Sequence, residues 1–186
     1  MIKKLLLIVG CFLCFPPICL GEEPNISWSG NLLEVSVSGN ITHGDKLRFI
    51  FKENNCDTIH QAFTFYTYSK NPKLSKLEDK VIAMTLNDEP FEATVLFVRP
   101  FLMGNSVWFN AGSYWFKNYI LKLKQISLYE IKIIDNKDFI AQDYFDIPTN
   151  SWSLNNIVSS LYSARKLCLD KSKNKAKPKL VQFVKE

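Results

Sequence analysis

The chain has 186 residues, 47% of them hydrophobic and 13% aromatic, with a formal net charge of +5. That composition can furnish the core of a single domain and excludes an intrinsically disordered or collagen-like chain. The charge is uneven, because residues 165–186 carry eight Lys or Arg against two acids and leave residues 22–164 at about −3.

Residues 1–21, MIKKLLLIVGCFLCFPPICLG, place two lysines before an apolar run that Pro16 and Pro17 interrupt. This is the layout of a secretory signal peptide and is too short to remain as a membrane span. Cys19 and Gly21 put small side chains at the third and first positions before a cut, so the expected mature chain begins at Glu22. The alternative cut precedes Cys11 in Ile8-Val9-Gly10-Cys11, the pattern at which bacterial lipoproteins are cleaved and acylated, and acylation would anchor the domain to a membrane. No later stretch reaches the length of a span. The expected product is exported, periplasmic or secreted, and not membrane-spanning.

Period-two alternation, the mark of strands with one buried face, runs through LLEVSVSGN, where Leu33, Val35 and Val37 oppose Glu34, Ser36 and Ser38, and through KLRFIFK, where Leu47, Phe49 and Phe51 oppose Arg48 and Lys52. Gly39, Asn40, Gly44 and Asp45 supply the turn between them. Further strands are expected at 62–68, 80–86, 91–98, 106–110, 114–123 and 127–134. Their spacing predicts a mainly β fold, an antiparallel β-sandwich of about seven or eight strands. One amphipathic helix follows, with Asn150 or Ser151 as its cap and Leu154, Ile157, Val158, Leu161 and Tyr162 on one stripe. Cys168 falls near that stripe. The globular domain is expected over residues 22–169, and residues 170–186, with lysines at 171, 173, 175, 177 and 179 and Pro178 among them, read as a mobile basic tail.

NNCDTIH, residues 54–60, gathers a cysteine, an acid and a histidine. A nucleophilic Cys56 would need Asp57 or His60 as its base, but the surrounding contexts of catalytic cysteines are absent. As a zinc set, His43, Cys56, His60 and Cys168 have the right ligand types without the usual two close pairs. The preferred reading is a disulfide from Cys56 to Cys168, because removal of the leader leaves two cysteines in an exported chain. No phosphate loop, H-E-x-x-H or G-x-S-x-G is present, and no cofactor is implied. Asp135, Asp138, Asp143 and Asp146 could gather calcium, but their spacing matches no calcium loop. Asn25-Ile-Ser and Asn40-Ile-Thr are glycosylation sequons, of consequence only in a eukaryotic secretory route.

The densest aromatic stretch is residues 97–119. In it Val107 and Phe109 oppose Trp108, while Tyr114 and Phe116 oppose Trp115, so apolar surface falls on both faces of the strand. Such a strand is either packed centrally in the core, the plainer reading, or presents aromatics to a partner; in the second case Trp108, Trp115 and Tyr114 are the candidate binding residues of a non-enzymatic domain that contacts a protein or envelope component. The alternative is an exported hydrolase or metal-dependent enzyme whose site is scattered in sequence. Nucleic acid is not an expected partner, since only Phe183 lies among the tail lysines; the tail reads first as solvated and without a partner, with weak contact with anionic surfaces as the alternative.

Overall fold

The computed structural model of the protein describes residues 23–42 and 44–176. The expected leader with Cys11, together with His43 and residues 177–186, lies outside the described residues. Nine strands, β1 (Asn25–Ser29), β2 (Leu32–Ser38), β3 (Lys46–Lys52), β4 (Asn55–Thr67), β5 (Val81–Leu86), β6 (Glu89–Phe101), β7 (Gly104–Trp115), β8 (Leu128–Ile133) and β9 (Thr149–Ser153), make one antiparallel sheet in the order β1-β2-β3-β4-β7-β6-β5-β8-β9. Helix α1 (Phe116–Leu123) follows β7 directly, and α2 (Ile157–Ala176) follows β9.

The mainly β character stands, but the two stacked sheets expected of a sandwich are replaced by a single open sheet of nine strands. Bulges supply the physical reason. The ladder shifts register between Ile50 and Lys52, between Gln61 and Ala62, and between Val95 and Phe97. Each extra residue bends its strand and increases the local twist. Gly112, with φ of 116°, accommodates the second of these shifts in a backbone region closed to most side chains. One sheet can then curl round its own apolar face. Trp152 on β9 accordingly comes within 6.3 and 6.1 Å of the rings of Phe63 and Phe65 on β4, although four strands separate them in the sheet.

Most inward positions are those that the alternation marks, while Ile59 and Trp152 lie outside the expected strands. Leu33, Val35, Leu47, Phe49, Phe51, Ile59, Phe63, Phe65, Val107, Phe109, Ile131 and Trp152 are all shielded from solvent. Each such side chain contributes about 1.5–3 kcal/mol relative to an exposed one. A polar clasp holds the curl. The buried Asp45 accepts from Asn150 Nδ2 at 2.7 Å and from the Tyr66 amide at 2.5 Å, and the Asn40 amide donates to the Ser151 carbonyl at 2.8 Å. Gly39 is needed beside it, because a Cβ there would lie 2.6 Å from the Thr42 carbonyl oxygen.

Besides β1, which no expected strand covered, three elements differ from expectation. Residues 116–123 form a helix and not the end of a strand, since Phe116, Tyr119, Ile120 and Leu123 recur at helical spacing and are all buried. Asn150 and Ser151 belong to β9 and do not cap the helix, because Asn150 and Trp152 both point into the core. Helix α2 continues past the expected start of the tail at residue 170 as far as Ala176. It buries Ile157, Leu161, Ala164 and Cys168, which recur every three or four residues, while Tyr162 stays half exposed. The Lys171 ammonium sits 3.5 Å from the Trp28 ring centroid, 3.1 Å from the Gly30 carbonyl oxygen and 3.8 Å from the Glu53 carboxylate. This lysine fastens the helix to the β1–β2 hairpin.

Candidate functional site

Strands β4 and β7 pair along ten residue positions, and their outer face carries both tryptophans of β7: Trp108 opposite Thr64 and Trp115 opposite Thr58. The two indoles share a strand and a face, yet their surroundings are opposite. Over Trp108 lies the guanidinium of Arg48, 4.0 Å from the ring centroid. Arg48 is itself held by Glu34 at 3.3 Å and by the Thr64 hydroxyl, to which Nη1 donates at 3.2 Å. On its other side Trp108 packs against Phe97 at 5.1 Å, and Arg99 covers Phe97 at 4.3 Å. This ladder of rings and charges crosses the sheet from β2 to β6 and satisfies Trp108 within the molecule.

Tyr114 turns inward. It stacks on Tyr119 with centroids 4.4 Å apart and donates its hydroxyl to the Ala111 carbonyl at 2.6 Å. Burial pushes its phenol above the ordinary range. The Tyr119 and Tyr129 hydroxyls both donate to Gln61 Oε1, at 2.6 and 3.2 Å, so this end of the core is closed by a polar cluster beneath α1.

Trp115 is the last residue of β7 and the N-cap of α1, with φ −65° and ψ 127°, so the chain changes from strand to helix at this point. The indole is left 68% exposed at the lip of a hollow of about 420 Å³, lined by Asp57, Trp115, Phe116, Lys117, Asn118 and Arg165. Three elements build it. The start of β4 contributes Asp57, the first turn of α1 contributes Phe116 to Asn118, and α2 contributes Arg165. Arg165 Nε and Nη2 both donate to Asp57 Oδ1, at 3.0 and 2.6 Å, and the guanidinium lies 5.1 Å from the Phe116 ring. Next to this pair Cys56 and Cys168 lie at disulfide distance, with Cα atoms 5.8 Å apart. The bond ties α2 to β4 and the exposed ion pair lies beside it, so two linked elements make one wall of the hollow.

The chain matches no protein-family model, no curated protein and no solved structure with which it was compared. The residues themselves therefore carry every functional argument.

The other predicted sites fall as follows. With the sulfurs of Cys56 and Cys168 joined, neither is a thiolate ligand; His60 Nδ1 is 2.6 Å from Ser113 Oγ, and His43 lies outside the described residues. Among the described residues, no three His, Cys, Asp or Glu side chains converge as a metal site. Asp135 accepts from the Ala141 amide at 2.8 Å and Asp146 accepts from the Tyr68 amide and the Thr67 hydroxyl, so these acids order separate turns. Asn25 and Asn40 are both exposed. The β6–β7 hairpin tip shows a second apolar surface, with Leu102 84% and Met103 81% exposed.

Asp57 and Arg165 were not selected from sequence as a binding pair, although the signal existed. If Cys56 bonds Cys168, then Arg165, one turn earlier on the helix, is brought to the strand that carries Asp57, within reach of a long side chain. Lys117 and Asn118 carry no such signal, because the helix they begin reads equally well as strand.

Proposed function

We propose that the protein is an exported, non-enzymatic domain that acts by binding a protein or envelope component, with Trp115 as its principal contact residue. One observation carries the reading: Trp115 lies open at the rim of a hollow, whereas Trp108, on the same face of the same strand, is covered by Arg48. A large exposed aromatic beside fixed polar groups is the pattern of a contact site. In this reading Trp108 and Tyr114 support the surface without touching the partner. Export is supported by the Cys56–Cys168 pairing, since disulfides persist in oxidising compartments. Among the described residues no helix is long and apolar enough to cross a membrane. The lysines beyond Lys171 add weak, salt-sensitive attraction to anionic surfaces.

Capture from an envelope extract with the immobilised mature chain tests the proposal. The parent and Trp108→Phe should retain the same partner and Trp115→Ala should lose it; equal recovery by Trp115→Ala and the parent would refute the assignment.

The hydrolase alternative has one geometric point in its favour, the 2.6 Å contact between Ser113 Oγ and His60 Nδ1. These residues are register partners on the open sheet face, neither lines the hollow at Trp115, and among the described residues no carboxylate hydrogen-bonds the imidazole. A nucleophile and base normally need such an orienting group and a concave site. Labelling of Ser113 by a fluorophosphonate probe would reverse the preference for binding.

A further inference from the structure

We infer that the hollow beside Trp115 is a sugar subsite that takes one pyranose ring of a glycan and favours a ring bearing a carboxylate. The inference rests on the reading of Trp115 as the contact residue and adds the chemistry of what it contacts.

A pyranose has a flat face of C–H groups and a perimeter of hydroxyls, each of which can donate and accept at once. The first property asks for an exposed planar apolar wall, and Trp115 supplies one at 68% exposure. The second asks for donors and acceptors held side by side in fixed positions. Arg165 places both Nε and Nη2 on the same oxygen of Asp57, which leaves Asp57 Oδ2 and Arg165 Nη1 as a neighbouring acceptor and donor with no partner among the described residues. Vicinal hydroxyls fit such a pair. Asn118 adds an amide that can serve either role. The fork is held by the Asp57–Arg165 ion pair, with the Cys56–Cys168 bond beside it and the guanidinium 5.1 Å from the Phe116 ring centroid. Less conformational entropy is then lost on binding.

The size and charge narrow the class. A volume of about 420 Å³ falls within the range of small-ligand sites and is too small for a folded segment of another protein. The lining has two cations, Lys117 and Arg165, against the single anion Asp57. The Arg165 charge is already matched, so the exposed ammonium of Lys117 is the group left to meet a carboxylate on the ligand.

Isothermal titration of the mature chain with trigalacturonic acid and with maltotriose tests the inference. Both should bind, the acidic trisaccharide several-fold more tightly. Trp115→Ala should weaken both at least about tenfold. Lys117→Ala should remove only the preference for the acid, with thermal midpoints of both variants unchanged. If neither sugar binds at millimolar concentration, or if Trp115→Ala binds as the parent does, the inference is overturned. Equal affinity for the two sugars would overturn the carboxylate preference alone. A failed titration beside a Trp115-dependent partner in the extract would sink the sugar subsite and leave the proposed binding function standing; loss of both would sink both.

Discussion

Trp108 and Trp115 lie seven residues apart on one face of β7, and the sheet treats them in opposite ways. Trp108 is enclosed by Arg48 and Phe97 in a ladder that spans five strands, whereas Trp115 stands where the strand ends and the helix begins and is 68% exposed. The lesson is that facing outward does not make an aromatic available. Availability depends on whether neighbouring strands offer a long side chain to cover it: β3 reaches Trp108 through Arg48, whereas beside Thr58, the β4 partner of Trp115, the β3–β4 ladder is interrupted between Ile50 and Lys52.

The largest perturbation acts on the second region. Reduction of Cys56–Cys168, or its replacement by serines, opens a loop of 112 residues in the unfolded chain and should cost on the order of 4–5 kcal/mol at most. Denaturant unfolding of oxidised and reduced protein measures this directly. Because α2 carries Arg165, the reduced protein should lose ligand binding at Trp115 before its sheet unfolds, and the Arg48–Trp108 ladder should survive.

Solution pH perturbs the first region instead. Burial raises the Asp45 carboxyl from 3.8 to about 7, against the opposing hydrogen bonds from Asn150 and Tyr66 and the charge of Arg48. The folded state therefore binds this proton more tightly than the unfolded state. Its stabilising contribution is complete below pH of about 4 and is lost as pH rises through about 7, by up to about 1.4 kcal/mol per unit. Thermal midpoints across pH 4 to 8 should fall accordingly, and Asp45→Asn should flatten that slope. An unaltered slope in the variant would remove Asp45 as its source.

Trp108→Ala comes next, at about 2–3 kcal/mol, from lost ring packing and a lost cation–π contact on a half-buried site. Trp115→Ala should change stability by less than about 0.5 kcal/mol, the usual range for an exposed position. Urea unfolding of the two variants side by side gives both numbers.

Much of this architecture was legible before the structure. Alternation located the core strands, and the even cysteine count after removal of the leader, with Cys168 on the apolar stripe of its helix, pointed to Cys56 as its partner. The curl was not legible. A bulge such as the one at Gly112 adds one residue to one strand, and nothing in a single chain shows which partner strand fails to match it. The segment 114–123 satisfies both the strand and the helical period, and only packing of Tyr119 and Ile120 under the sheet decides between them. Strand β9 was hidden for a different reason: TNSWS has polar residues suited to a helix cap, and its inward Asn150 is tolerable because partners more than a hundred residues earlier satisfy it, with Asp45 and the Thr42 carbonyl accepting from its amide and the Ile41 amide donating to its oxygen. The Asp57–Arg165 pair is the opposite case, since the disulfide brings its two elements within reach of each other.

The distinction between the two tryptophans is tested most directly by binding isotherms of Trp108→Ala and Trp115→Ala for the same ligand at a temperature where both are folded. Trp108→Ala should bind as the parent does and unfold earlier on heating, while Trp115→Ala should melt with the parent and bind at least about tenfold more weakly. Binding that depends on Trp108 and not on Trp115 would contradict the account.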